Sequence, residues 1–382
     1  MNDKLAQLRK RKSVKWQRFA DDVIPMHVAE MDFPISPAIK ASLISMIEND
    51  DLGYAFPLPE LGVSFSGFSN RHWGFSPTPE LVFPATDVGV AGVELLRSLI
   101  PNGGKVLVNS PIYASFKKWI AESKNQIVDA PLQLTGRRWE LDLDSIEKRF
   151  QEGVDVYLLC SPHNPVGAVH SREELVEIAS LAEKYNVVVF ADEIHAPLTH
   201  SGTNFIPFAS VSDQAREVGI TITSSSKSFN TAGVKGGLIS FESAALKSKA
   251  LEKLPMAVPY RTSILGIAAM IASFNDSDGW LSETVSKIES NFLVLNNLLA
   301  EQHWAETFEE NATYLAWLNL EKLGLENPAA EILEKAKVSL VAGSDHSIDE
   351  QSYQGFARMN IGTYPEIIEQ AVERISALAK SR

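Results

Sequence analysis

The chain has 382 residues, 45% of them hydrophobic and 22% charged, a balance that excludes disorder as the default state. That length exceeds what one hydrophobic core usually organises, so two domains are expected. A net charge of -13 argues against nucleic acid or an anionic membrane as the main partner, but leaves room for a local basic pocket.

The first segment, Met1 to Lys12, is basic and polar with no apolar core after it, unlike a secretory leader. Val23 to Pro34 reads as a short extended segment closing in a turn. Pro37 to Ile47 is a predicted helix, with Ile39, Leu43, Ile44 and Ile47 at helical spacing and Ser36 as N-cap. Asp51 to Pro57 is a loop, Leu61 to Trp73 a helix, and Thr86 to Leu99 a turn feeding a helix. Strands then alternate with helices. The strands are Lys105–Asn109, Ile127–Ala130, Val154–Cys160, Val187–Ala191, Gly219–Thr223 and Gly236–Phe241. The helices are Tyr113–Ser123, Asp142–Phe150 and Ser171–Tyr185, the last opened by a capping box from Ser171 to Glu174. Cys160, the single cysteine, is expected inside its strand; it excludes an internal disulfide, and no Cys/His spacing suits a metal.

Beyond Leu254 the pattern changes. Thr262–Ser273 is an apolar helix, too short to span a bilayer. Trp280–Gln302 is a long amphipathic helix that would bridge two domains. Strands are predicted at Thr313–Leu320, Val338–Val341 and Gly355–Ile361, and helices at Pro328–Lys337 and Pro365–Lys380. Alternating strands and helices imply an α/β fold, a mostly parallel sheet flanked by helices, with a smaller α+β domain. The expected division is 51–275 for the large domain and 276–382 for the small one, with 1–50 joining the small domain. A cytoplasmic enzyme is the simplest fit.

Ligands of such sheets sit at the carboxyl ends of the strands. There the sequence offers Tyr113, Asn164, Asp192 with His195, and the run Ser224-Ser225-Ser226-Lys227. A lysine leaving a buried strand into a hydroxyl-rich turn tends to lose its proton, and the neutral amine can attack a carbonyl; the alternative is a surface lysine on a polar loop. Asp192 ends the most apolar run and needs a cation, either a cofactor's ring nitrogen or a nearby arginine. His195 could orient that carboxylate or stand as a core histidine. Asn164, between prolines, can donate to a ring oxygen or simply make an Asn-Pro turn. Tyr113 could lie flat on a ring or fill the core. Thr86 to Gly92 leads into a helix whose N-terminus favours a phosphate, with Ser224, Ser226 and Lys235 as further donors. Arg358, in an apolar strand, needs an anion: a substrate carboxylate or a glutamate.

Together these residues resemble the fold-type I pyridoxal-phosphate enzymes, the aspartate aminotransferase superfamily, over nearly the whole chain. Several stretches are similar to the MalY/PatB subfamily of cystathionine β-lyases and other carbon–sulfur lyases. They are Lys15-Trp16, Val28 to Phe33, Gly53-Tyr54, Ser161 to Gly167, Asp192 to His195 and Ser226 to Asn230. The resemblance implies pyridoxal 5'-phosphate as cofactor, bound to Lys227 as a Schiff base, with Asp192 on the pyridine nitrogen and Asn164 on the ring oxygen. It implies Tyr113 stacked on the ring, and Gly89, Val90, Ala91 and Ser224 holding the phosphate. Tyr54 would reach in from the other subunit of a homodimer, and Arg358 and Ala29 would meet the substrate. The implied activity is a carbon–sulfur β-lyase; the alternatives are an aminotransferase and a cofactor-binding regulatory protein. His27 stands where that subfamily usually has tryptophan, Glu30 and Ser161 replace an aspartate and an asparagine, and Thr86-Asp87-Val88-Gly89 is not the usual Thr-Pro-Gly-Val.

Overall fold

A computed structural model describes residues 3–55, 59–255, 257–349 and 351–380. Phe56 and Pro57, the end of the predicted Asp51–Pro57 loop, lie outside the described residues.

The apolar runs build a seven-stranded sheet in the order Val82–Ala85, Gly237–Phe241, Gly219–Thr223, Val188–Asp192, Val156–Cys160, Lys105–Val108, Gln126–Asp129. The four strands from Val156–Cys160 to Gly237–Phe241 are buried at every residue, because helices cover both faces. Side chains alternate between two cores: Val156, Leu158 and Phe190 face one, Tyr157, Leu159 and Val189 the other.

The sheet is mixed rather than uniformly parallel. Gly237–Phe241 runs antiparallel to both neighbours, while the pairings from Gly219–Thr223 out to Gln126–Asp129 are parallel. A parallel return needs a crossover helix. Between Thr223 and Gly237 the chain makes only the short helices Ser225–Ser228 and Ala232–Val234, so it turns straight back. The Val82–Ala85 strand escapes the sequence pattern because it is a half-exposed edge carrying Pro84. The hairpin of the exposed strand Gln133–Thr135 with Arg138–Glu140, where only Trp139 is buried, escapes it too, having few apolar residues to alternate.

A second sheet, wholly antiparallel, orders Glu306–Thr307, Leu315–Asn319, Phe356–Asn360 and Val341–Ala342. The expected single strand Val338–Val341 is two: Val338–Ser339 pairs with Ile24–Pro25, and Val341–Ala342 with the Arg358 strand. The N-terminal segment thus adds a strand beside the C-terminal part. The expected helix Pro328–Lys337 changes after Glu331 into a π-helical turn, Ile332–Ala336, and stops at Lys337, whose φ is 56°. The capping box forms, with Ser171 Oγ accepting from the Glu174 N–H at 3.2 Å. Ser36 does not cap; its hydroxyl bonds Ser277 Oγ at 2.7 Å instead. Among the described residues no helix is long and apolar enough to cross a membrane, and no His/Cys/Asp/Glu group could hold a metal ion.

Candidate active site

Register decides which strand tips meet. Cys160 lies opposite Asp192, and Asp192 opposite Ile222, so the loops after these strands leave the sheet side by side. They open into a cavity of about 630 Å³ lined by Gly89, Tyr113, Asn164, Asp192, His195, Lys227, Arg358 and Ala29.

Lys227 stands on a one-turn helix, Ser225–Ser228, where the sequence suggested a turn. Ser224 caps that helix, accepting from the Ser226 N–H at 3.0 Å while donating to Gly236 O at 2.6 Å. The Lys227 amine donates to Ala29 O at 3.2 Å. Removal from water, helped by the positive Arg358 and opposed by Glu30 and Asp192, lowers its pKa to about 8.

Among the described residues the Asp192 carboxylate accepts one bond, from the Ile194 N–H at 3.2 Å. No cation lies within ion-pair distance of it among the described residues. Burial pushes its pKa up to about 7 against the Ile194 N–H and the Lys227 charge. His195 is buried too, its Nδ1 without a partner among the described residues, and desolvation beside Lys227 and Arg358 drops its pKa to about 3. A carboxylate lacking its cation and an imidazole lacking its acceptor are costly unless something fills the space between them.

Arg358 projects from the Phe356–Asn360 strand. It donates to Asn164 Oδ1 at 3.1 Å and to His27 O at 3.1 Å, and its Nε is unpartnered. No carboxylate pairs with it among the described residues. Its burial lowers its pKa to about 10, while Tyr113, Tyr314 and Asp345 pull the other way. Because Asn164 Oδ1 faces this arginine, the amide nitrogen is the end left to donate elsewhere. Tyr113 packs edge-on against Phe116 and Trp119 at 5.4 and 5.9 Å.

The helix Val88–Leu99 presents only part of its first turn. Gly89 lines the cavity, Val90 is exposed and Ala91 is wholly buried. Asp87 caps the helix, taking the Val90 N–H at 2.8 Å, and pairs with Lys235 at 3.0 Å. Lys235 and Ser224 therefore have partners outside the cavity, and Tyr54 is fully exposed on this chain. Gly92 is demanded by packing: a Cβ there would sit 2.4 Å from the Trp119 ring.

The N-terminal segment closes the cavity. Buried Lys15 pairs with buried Asp32 at 2.8 Å, and Trp16 Nε1 donates to the same carboxylate at 2.9 Å. Asn230, just past Lys227, clamps Met31 by accepting its N–H at 2.9 Å and donating to its O at 2.8 Å. These bonds set Ala29 over the Lys227 amine. Arg18, Phe19, His27, Trp119 and Asp345 also line the cavity. Sequence reasoning did not single them out for the site; His27 alone left a signal, as a departure from the subfamily pattern.

A family described as aminotransferase class I and II matches residues 60–375. The chain is 34% identical to a cystathionine beta-lyase of Corynebacterium glutamicum, covering 98% of both. Its fold matches a candidate PLP-dependent beta-cystathionase from Corynebacterium diphtheriae with TM-score 0.91 at 31% identity, over 98% of each chain. It matches a PLP-bound C-S lyase from Staphylococcus hominis with TM-score 0.89 at 25% identity, over 96% of each. Matched along most of its length in both sequence and fold, this chain belongs to the aminotransferase class I and II family.

Proposed function

We propose that this protein is a pyridoxal 5'-phosphate-dependent carbon–sulfur β-lyase. It takes cystathionine or a related cysteine S-conjugate, with one water, to the free thiol, pyruvate and ammonium. The observation that carries this reading is the unpaired, buried Asp192 facing the same cavity as the Lys227 amine.

The residues fit the cofactor. Asp192 supplies the anion for a protonated ring nitrogen, the Asn164 amide nitrogen is free for the ring oxygen, and Lys227 is the amine for the aldehyde. Tyr113 would stack on the ring and His195 would orient Asp192 or the ring hydroxyl. Gly89, at a helix N-terminus, would be the first phosphate contact. Val90, Ala91, Ser224 and Lys235, with Tyr54 of a second subunit, complete the phosphate set only by giving up present surroundings; Asp87 holds the Val90 N–H and Lys235.

When bound, the cofactor supplies an electron sink for charge developing on the substrate Cα. Arg358 grips the α-carboxylate, oriented by Asn164 and by the His27 carbonyl. Lys227, with its lowered proton affinity, takes the Cα proton and returns one to the departing sulfur as the C–S bond breaks. Choosing lyase over amino transfer rests on the cystathionine beta-lyase relative, whose whole length the chain covers closely.

The same reading takes the molecule as a homodimer sharing its sites through Tyr54, whose side chain is fully exposed on one chain. It groups residues 1–50 with 276–382 and separates 51–275, supported by the pairing of Ile24–Pro25 with Val338–Ser339. A cytoplasmic location is supported by the lone, buried, unpaired Cys160.

The test is L-cystathionine given to the cofactor-loaded enzyme with no keto acid present. Pyruvate and thiol should appear in equal amounts. Amino transfer only on adding a keto acid would make it an aminotransferase, and cofactor absorbance with no turnover a binding protein.

A further inference from the structure

We infer that Arg18 and His27 form a distal subsite that selects S-conjugates whose thiol half carries a carboxylate. The inference rests on the lyase reading above and goes beyond it, because it names what is recognised on the leaving group.

His27 is buried at the cavity wall, with its ring Nδ1 2.8 Å from Ser339 Oγ. Its Nε2 has no partner among the described residues. With Ser339 Oγ as the donor to Nδ1, the tautomer this subsite takes, Nε2 carries the proton. Burial, with Arg18, Lys15 and Arg358 nearby, lowers the ring's pKa to about 4. The imidazole is therefore a neutral N–H donor left without an acceptor, and a ligand oxygen would supply one.

The charge comes from Arg18. It is exposed, lines the same cavity and has no carboxylate within ion-pair distance among the described residues. Its guanidinium carbon lies 5.7 Å from the Phe19 ring centroid, and Phe19 meets the His27 ring edge-on at 4.9 Å. A cation and a neutral donor are thus joined through one aromatic ring.

This pair is separate from the α-carboxylate grip. Arg358 bonds only the backbone carbonyl of His27, on the opposite end of that residue from the free Nε2. The same cavity wall carries the apolar side chains of Ala329, Ala330 and Leu333 beside the polar Asn327, and the apolar ones suit thioether methylenes. Asp345 also lines the cavity, close enough to Arg358 to raise that arginine's proton affinity. The preference for a carboxylate on the thiol half therefore depends on Arg18.

The experiment compares S-(2-carboxyethyl)-L-cysteine with its amide, S-(2-carbamoylethyl)-L-cysteine, nearly equal in shape and differing in charge. Pyruvate release gives kcat/KM for each, and the substrate-induced change in cofactor absorbance gives half-saturation without turnover. The cofactor-loaded wild type should favour the acid by about tenfold. Arg18→Met should cut that ratio at least about fivefold, Arg18→Lys should keep part of it, and Arg358→Lys should weaken both compounds alike. His27→Phe, close in size, should lower the ratio in the same direction. A wild-type ratio near one, or a ratio indifferent to Arg18→Met, overturns the subsite. If neither compound yields pyruvate, the lyase reading fails, and the absorbance titration still decides the subsite by the same ratio.

Discussion

Asp192 and Lys227 have their proton affinities moved by the same cause, loss of water, and in opposite chemical senses. Asp192 is raised from 3.8 to about 7 in the cofactor-free chain. Between those values the unfolded chain gives up this proton and the folded chain keeps it. Stability from this group is therefore present below the unfolded value and falls as pH rises, by about 1.4 kcal/mol per pH unit, levelling once the folded carboxyl ionises. Asp192→Asn removes the dependence. The melting-temperature gap between variant and wild type, both cofactor-free, should widen from pH 4 to 7 and then hold; a constant gap would mean that Asp192 is ionised in the fold. Arg358 invites a second measurement. Truncating a buried carboxylate clamp costs about 2–5 kcal/mol, so Arg358→Ala should raise KM for amino-acid substrates about thirtyfold or more. An unchanged KM would take Arg358 out of substrate binding.

At the scale of elements, the site depends on a segment distant in sequence from its lysine. The stretch carrying His27, Val28 and Ala29 has little regular structure, since Ile24–Pro25 is its only strand. Its position is set by the buried Lys15–Asp32 pair, the Trp16 bond to the same carboxylate, and the Asn230 clamp on Met31. Losing Lys15 leaves the buried Asp32 with the partly exposed Arg11, 3.8 Å away, as its cation, at a cost of about 2–3 kcal/mol, below the penalty of a fully stranded charge. Lys15→Met should lower unfolding free energy by that amount in denaturant titration, and Lys15→Met with Asp32→Leu should recover part of it. A loss under about 0.5 kcal/mol would show that Arg11 or water satisfies Asp32 without Lys15. The sequence displayed Lys15-Trp16 and Asp32 as separate motifs; only packing shows that they form one latch.

For the whole molecule, the proposed dimer makes a quantitative demand. If Tyr54 serves the neighbouring site, Lys227→Ala and Tyr54→Ala chains should each be inactive or nearly so, yet re-form working sites when mixed and allowed to exchange. Half of randomly assorted dimers are mixed and each holds one intact site, so activity should return to about a quarter of wild type. No recovery, with exchange verified by a size or tag difference, would place Tyr54 outside the site. What the chain declares locally is the succession of strands and helices and the reactive residue types at strand ends. Runs such as Val187 to Ala191 announce themselves because burial on both faces leaves no polar position. Capping residues such as Ser171 do so because their partners lie within one turn. Other features depend on remote partners. The reversal of Gly237–Phe241, the division of Val338–Val341 between two sheets, and the capture of Lys235 by Asp87 are of this kind. The bond from Lys227 to Ala29 joins residues 198 apart, and no local pattern carries such a contact. Propensity and periodicity are properties of neighbours along the chain, whereas the direction of a side chain into a cavity, and with it the free face of His27, is fixed by whatever else must pack in the same space.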